Sequence, residues 1–96
     1  MDAMGESARE ASEFLKALVH KSRLNILCKL VDGEKRVGQL EEALDIRQST
    51  VSQQLARLGL KGLVTFRGEG KQIFYSLAGE DVRKIIGVLV DIFCKR

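Results

Sequence analysis

The sequence predicts a mainly α-helical winged helix-turn-helix, about five helices with one β-hairpin, and three observations carry that prediction. Residues 47–64 read RQSTVSQQLARLGLKGLV, in which Val51, Leu55 and Leu58 recur at i, i+4 and i+7 and define one apolar helical face. Just upstream, Val37, Leu40 and Leu44 mark a short helix, joined to the longer one by Asp45-Ile46-Arg47. A short helix, a tight turn and a second helix with a polar outer face make a helix-turn-helix. After Gly62 the period changes, and two stretches rich in Val, Thr, Phe, Ile and Tyr flank a glycine-containing turn, which reads as a hairpin.

In chain order, residues 1–6 read as flexible. A first helix follows over residues 7–19, with Ala8, Ala11, Leu15, Leu18 and Val19 as its stripe. Ser22 reads as the N-cap of a second helix, where Leu24, Leu27, Cys28 and Val31 recur at helical spacing, and Gly33 ends it. The third and fourth helices form the helix-turn-helix, and Gly62 closes the fourth in a left-handed conformation. Strands are expected over residues 63–67 and 72–77, the second alternating Ile73, Tyr75 and Leu77 with Gln72, Phe74 and Ser76. Between them Gly68-Glu69-Gly70-Lys71 forms the tip of the wing. A last helix runs from about Glu80 to Phe93 with Val82, Ile85, Ile86, Leu89, Ile92 and Phe93 on its stripe. That stripe is wide for a terminal helix and marks a partner surface, so the chain is expected to form a homodimer through its first and last helices.

Size and composition agree. Residues 1–96 make one small domain, near the length where a core is adequate but not generous. Proline is absent, 30% of residues are charged and 5% are aromatic, which suits a helical protein. No apolar run approaches the roughly 20 residues of a membrane span, and no signal pattern opens the chain, so a cytoplasmic location is expected.

The outer face of the fourth helix carries Gln48, Ser49, Ser52, Gln53 and Arg57, with no acid among them. Gln can pair with adenine, Arg with guanine, and Ser can donate to phosphate or base. Residues 47–71 hold five cations, Arg47, Arg57, Lys61, Arg67 and Lys71, against Glu69 alone, a local net charge of +4 within a chain of +3. Charge gathered on the presumed reading surface is the footprint of nucleic-acid binding. The DNA-binding candidates are therefore Gln48, Ser49, Thr50, Ser52, Gln53 and Arg57 on the helix, with Arg67 and Lys71 on the wing. A helix face of this kind also suits plain solvation, and a winged helix can serve as a protein-interaction module.

The pattern Leu18-x-His20-x-x-Arg23-Leu24-x-Ile26-Leu27, the run Gln48-Ser49-Thr50-Val51-Ser52-Gln53-x-Leu55, then Gly62-Leu63-Val64, and Arg67-x-x-Gly70-Lys71 followed by Tyr75, together resemble the ArsR family of dimeric winged-helix repressors. The resemblance spans nearly the whole chain, from about Phe14 to the end. It departs at Lys21, where the family usually has proline, at Gln54, where histidine is common, and at Arg47, where serine often caps the recognition helix. Within the family, Cys28 after Ile26-Leu27 and Cys94 near the end of the last helix resemble the persulfide-responsive repressors of the SqrR and BigR type. That resemblance implies a dithiol sensor, Cys28 with Cys94, which releases operator DNA when low-molecular-weight or protein persulfides link the two sulfurs. Expression of genes of sulfide oxidation is the outcome that the same resemblance implies.

The residues themselves speak less fully on sensing. Cys28 sits on an apolar stripe, where free cysteine commonly serves as core. Cys94 stands beside Lys95 and Arg96, which favour a thiolate, while the negative end of the helix dipole opposes it. Two cysteines outside any C-x-x-C pair build neither a structural zinc site nor a disulfide framework. The family's commoner metal sensing needs clustered ligands, and Val37-Gly38-Gln39-Leu40-Glu41-Glu42 has no cysteine. The last helix has Asp81 and Asp91 but no histidine, and His20, the only imidazole, is expected in packing or a helix-end hydrogen bond. No metal or cofactor is expected, although pooling of cysteines across a dimer, or a peroxide response, stands as an alternative. No nucleophile has a neighbouring base and no phosphate loop is present, so an enzyme is not expected.

Overall fold

A computed structural model describes residues 3–94. Helix α1 spans Ala3–Leu18, α2 Lys21–Leu30, α3 Val37–Leu44 and α4 Gln48–Leu60. Strands β1, Val64–Glu69, and β2, Gln72–Leu77, lead into α5, Glu80–Phe93. Five helices and a hairpin are the predicted architecture.

The core is one cluster built from the inward stripes of each element. Ile26, Leu27 and Leu30 of α2, Leu40 of α3, and Val51, Leu55 and Leu58 of α4 are all fully or almost fully buried. Ile86 of α5 and Leu63 at the root of the wing complete the centre. Each such side chain contributes about 1.5–3 kcal/mol of burial free energy, which fixes the angle between α2, α3 and α4 and hence the attitude of α4.

The helix ends follow local chemistry. His20, not the expected Ser22, caps α2: its Nδ1 accepts the Ser22 backbone N–H at 3.2 Å, and Ser22 lies inside the first turn. Ser22 is displaced because the imidazole, two residues upstream in an extended conformation, already reaches that donor. Asp45 closes α3 with φ of 55°, the left-handed region that short polar side chains tolerate, and its N–H returns to the Glu41 carbonyl. This one residue makes the turn of the helix-turn-helix. Gly62 adopts φ of 76° after the α4 C-cap Lys61, as its lack of a Cβ allows.

Helix α1 begins at Ala3, so the segment expected to be flexible over residues 1–6 is helical from that point; Met1 and Asp2 lie outside the described residues. Its expected stripe is also used differently. Leu18 is buried, but Ala8, Ala11 and Leu15 are exposed, and Val19 lies beyond the helix end at 78% exposure.

The strands pair antiparallel from Val64 with Leu77 to Glu69 with Gln72. Pairing therefore continues through Gly68 and Glu69, and the tip shrinks from four residues to the two-residue turn Gly70-Lys71, with Gly70 at φ of 63°. A third edge was not anticipated. Lys35 donates its N–H to the Tyr75 carbonyl at 2.9 Å, and Tyr75 donates to the Lys35 carbonyl at 2.8 Å, which anchors the wing to the segment before α3.

Candidate nucleic-acid interface and thiol pair

Helix α4 presents Gln48, Ser49, Ser52, Gln53 and Arg57 to solvent, while Val51, Leu55 and Leu58 hold its other face in the core. Thr50 is only half exposed, at the edge between the two faces. Arg47 is the N-cap and makes no side-chain cap bond, so the first turn of α4 keeps its positive dipole end uncovered by a cap. Gln54 is on the inner side, buried, with its Oε1 lacking a hydrogen-bond partner. The spacing of the apolar residues already separates these faces; the burial of Gln54 does not follow from its polar type.

The wing brings the remaining candidates together unequally. Lys71 stands exposed at the turn. Arg67 also faces solvent, but its guanidinium is engaged. Its Nε donates to Glu34 Oε2 at 3.0 Å, its Nη2 donates to Glu34 Oε1 at 2.5 Å, and its Nη1 lies 3.4 Å from Glu69. The guanidinium carbon sits 4.7 Å from the centre of the Phe74 ring. The hydrogen bond from Arg67 is the main cause holding the Glu34 carboxyl below its usual value, and the same bond raises the Arg67 guanidinium above its own. Glu34 was missed in the sequence because it lies 33 positions away, in a connecting segment with no periodic signal.

The cysteines meet where α2 and the end of α5 come together. Cys28 of α2 is half-buried and Cys94, the C-cap of α5, is exposed; both are free thiols. Together with Leu24, Asn25, Leu89 and Phe93 they line an open pocket of about 320 Å³. Burial is the first cause that pushes the Cys28 thiol above its ordinary value, followed by the charge and hydrogen bond of the neighbouring Cys94; Lys29 opposes both. The packing that joins them is general: Val82 and Ile86 of α5 enter the core, and Arg83 Nη1 donates to the Val31 carbonyl at the end of α2 at 3.3 Å.

Among the described residues no three His, Cys, Asp or Glu gather into a group that could hold a metal ion, and no helix is long and apolar enough to cross a membrane.

An exposed polar helix set on a three-helix core, flanked by a basic-tipped hairpin, defines a winged helix-turn-helix nucleic-acid-binding protein. Residues 20–65 match the family model described as bacterial regulatory protein, arsR family. The chain is 48% identical over 94 residues to the biofilm growth-associated repressor of Agrobacterium fabrum, covering 98% of this chain and 80% of that protein. Reduced HlyU from Vibrio cholerae superposes with a TM-score of 0.90 at 38% identity, covering 98% of this chain and 99% of that one. A homodimeric winged helix-turn-helix DNA-binding domain from Mycobacterium bovis superposes with a TM-score of 0.80 at 32% identity, covering 96% of this chain and 85% of that one. The chain belongs to the ArsR family of DNA-binding transcriptional regulators.

Proposed function

We propose that this protein is a homodimeric repressor that leaves its operator when reactive sulfur links Cys28 to Cys94, allowing genes of sulfide oxidation to be expressed. The observation that carries the reading is the shared pocket of the two thiols, 66 positions apart in sequence. A pair brought together only by folding, one sulfur exposed and the other half-buried, suits a two-step exchange. The Cys94 thiolate attacks the outer sulfur of a persulfide RSSH, the S–S bond breaks, and RSH leaves with a proton. The Cys28 thiolate then attacks the Cys94 sulfur of the new persulfide; HS⁻ departs, takes up a proton and leaves a disulfide. Two thiols are oxidised and one sulfane sulfur is reduced to sulfide. A second sulfane sulfur retained between them would lengthen the bridge and relax the short span of a plain disulfide.

The dimer reading is supported by the apolar residues that the monomer leaves open. Leu15 of α1 and Ile85, Val88, Ile92 and Phe93 of α5 are large and exposed, in positions that a second copy would cover. The Mycobacterium bovis relative described as homodimeric is consistent with this. In the dimer each α4 would enter a major groove, with half-sites about 10 bp or a multiple apart. Gln48, Ser49, Thr50, Ser52, Gln53 and Arg57 would face the DNA and Lys71 the phosphates. A bridge between α2 and the dimer helix α5 alters the angle between the two reading heads. A shift of about 2.7 kcal/mol against the bound geometry lowers operator affinity about 100-fold, within the usual range of allosteric coupling.

The test is mass spectrometry and operator binding after treatment with a persulfide, with peroxide as control. An internal sulfur bridge and DNA release under persulfide are expected for the native protein. Cys28→Ser and Cys94→Ser should bind operator and keep it. Release of DNA by either variant sinks the paired mechanism in favour of modification of one thiol; bridging by peroxide alone replaces the sulfur inducer with an oxidant.

A further inference from the structure

We infer that Glu34 is a positioning residue for the wing, a carboxylate that holds Arg67 until a DNA phosphate displaces it and thereby sets affinity for DNA of any sequence. This rests on the reading that the wing meets phosphates. Arg67 faces Glu34 with two N–H groups on two oxygens, at 3.0 and 2.5 Å, the fork geometry that guanidinium also offers to a phosphate. Glu34 therefore occupies the donors that a phosphate would use. The pair is open to water, with side-chain exposures of 50% for Arg67 and 37% for Glu34. Exposed pairs of this kind are weak and exchange readily. Lys71, at the tip of the same wing, has no carboxylate partner among the described residues.

A simple strut between wing and body is the competing role, and the structure supplies that strut elsewhere. The Lys35–Tyr75 backbone pair ties the wing down at 2.9 and 2.8 Å, and Leu63, Val64 and Leu77 are buried at its root. Loss of the Glu34 charge thus releases the two N–H groups that Glu34 holds, leaving only the longer 3.4 Å contact to Glu69, without freeing the wing. The sign of the effect separates the two roles: a strut removed weakens binding, whereas a clamp removed strengthens it.

The experiment measures binding of the full chain to a random-sequence duplex and to operator DNA over a range of salt, by fluorescence anisotropy. Glu34→Gln should bind both DNAs about fivefold more tightly at low salt. The slope of log affinity against log salt should stay close to the native one, because Arg67 reaches phosphate in both complexes. The thermal midpoint of Glu34→Gln should fall by only a few degrees, through the loss of one weak exposed pair. Arg67→Ala should weaken binding, and in that background Glu34→Gln should change nothing. Weaker or unchanged binding by Glu34→Gln overturns the inference, as does an equal gain in both backgrounds, which would mean loss of a repelling charge only. If Arg67→Ala leaves affinity unchanged, the reading that Arg67 meets phosphate fails as well.

Discussion

Cys28 and Cys94 line one pocket, the first half-buried on α2 and the second exposed at the C-cap of α5. Their unequal exposure makes them chemically unequal, because the thiolate is the reactive form and Cys28 is held towards the thiol. Iodoacetamide at neutral pH should therefore label Cys94 well before Cys28, which peptide mass spectrometry would read directly. Equal labelling rates would contradict the assignment of Cys94 as the attacking sulfur.

The raised Cys28 value also sets a pH dependence. Folding favours the protonated thiol, so the stabilisation is complete below the ordinary thiol value and is lost as pH rises through the raised one. Urea unfolding across an alkaline series should show stability falling with pH. Cys28→Ser should flatten that fall.

In the proposed DNA complex, readout and attachment should separate on the two parts of the interface. Gln53 is exposed on α4 and Lys71 at the wing turn. Gln53→Ala should relax base preference, whereas Lys71→Ala should weaken binding to all sequences and flatten the salt slope by about one. Equal losses on operator and random DNA in both variants would remove Gln53 from base recognition.

The open face of α5 predicts the assembly. Val88 is 54% exposed and Ile92 52% exposed, so neither supports the core of a single chain. Val88→Lys should leave the helical content unchanged while shifting sedimentation from dimer to monomer, with a matching loss of operator affinity. A dimer that survives this change would move the interface away from α5.

Two substitutions calibrate the fold. Gly62 has φ of 76° and open space where a Cβ would stand, so Gly62→Ala costs only backbone strain, about 1–2 kcal/mol. Leu58 is fully buried, and Leu58→Ala should cost about 2–5 kcal/mol through lost burial and a cavity. Denaturant midpoints would rank them, with Leu58→Ala the more damaging.

The sequence by itself determined the elements, because helical and strand periods are local properties. The stripe of Val51, Leu55 and Leu58 separates the polar face of α4, and the bounds of α5, Glu80–Phe93, follow from its apolar spacing. Glycine at 62 marks a left-handed closure because side chains rarely tolerate that conformation. What no local rule carries was decided by tertiary structure. The approach of Cys28 to Cys94 was implied only by resemblance, and arises because α5 packs on α2, bringing Leu89 and Phe93 beside Leu24 around the two thiols. The Lys35–Tyr75 bridge and the Arg67–Glu34 pair join segments far apart in sequence, and neither residue announces its partner. Even the cap of α2 depended on which nearby acceptor could reach the first free N–H, and His20 reaches it from two residues upstream. Periodicity records which face of an element is apolar; only the folded chain records which faces, and which charges, then meet.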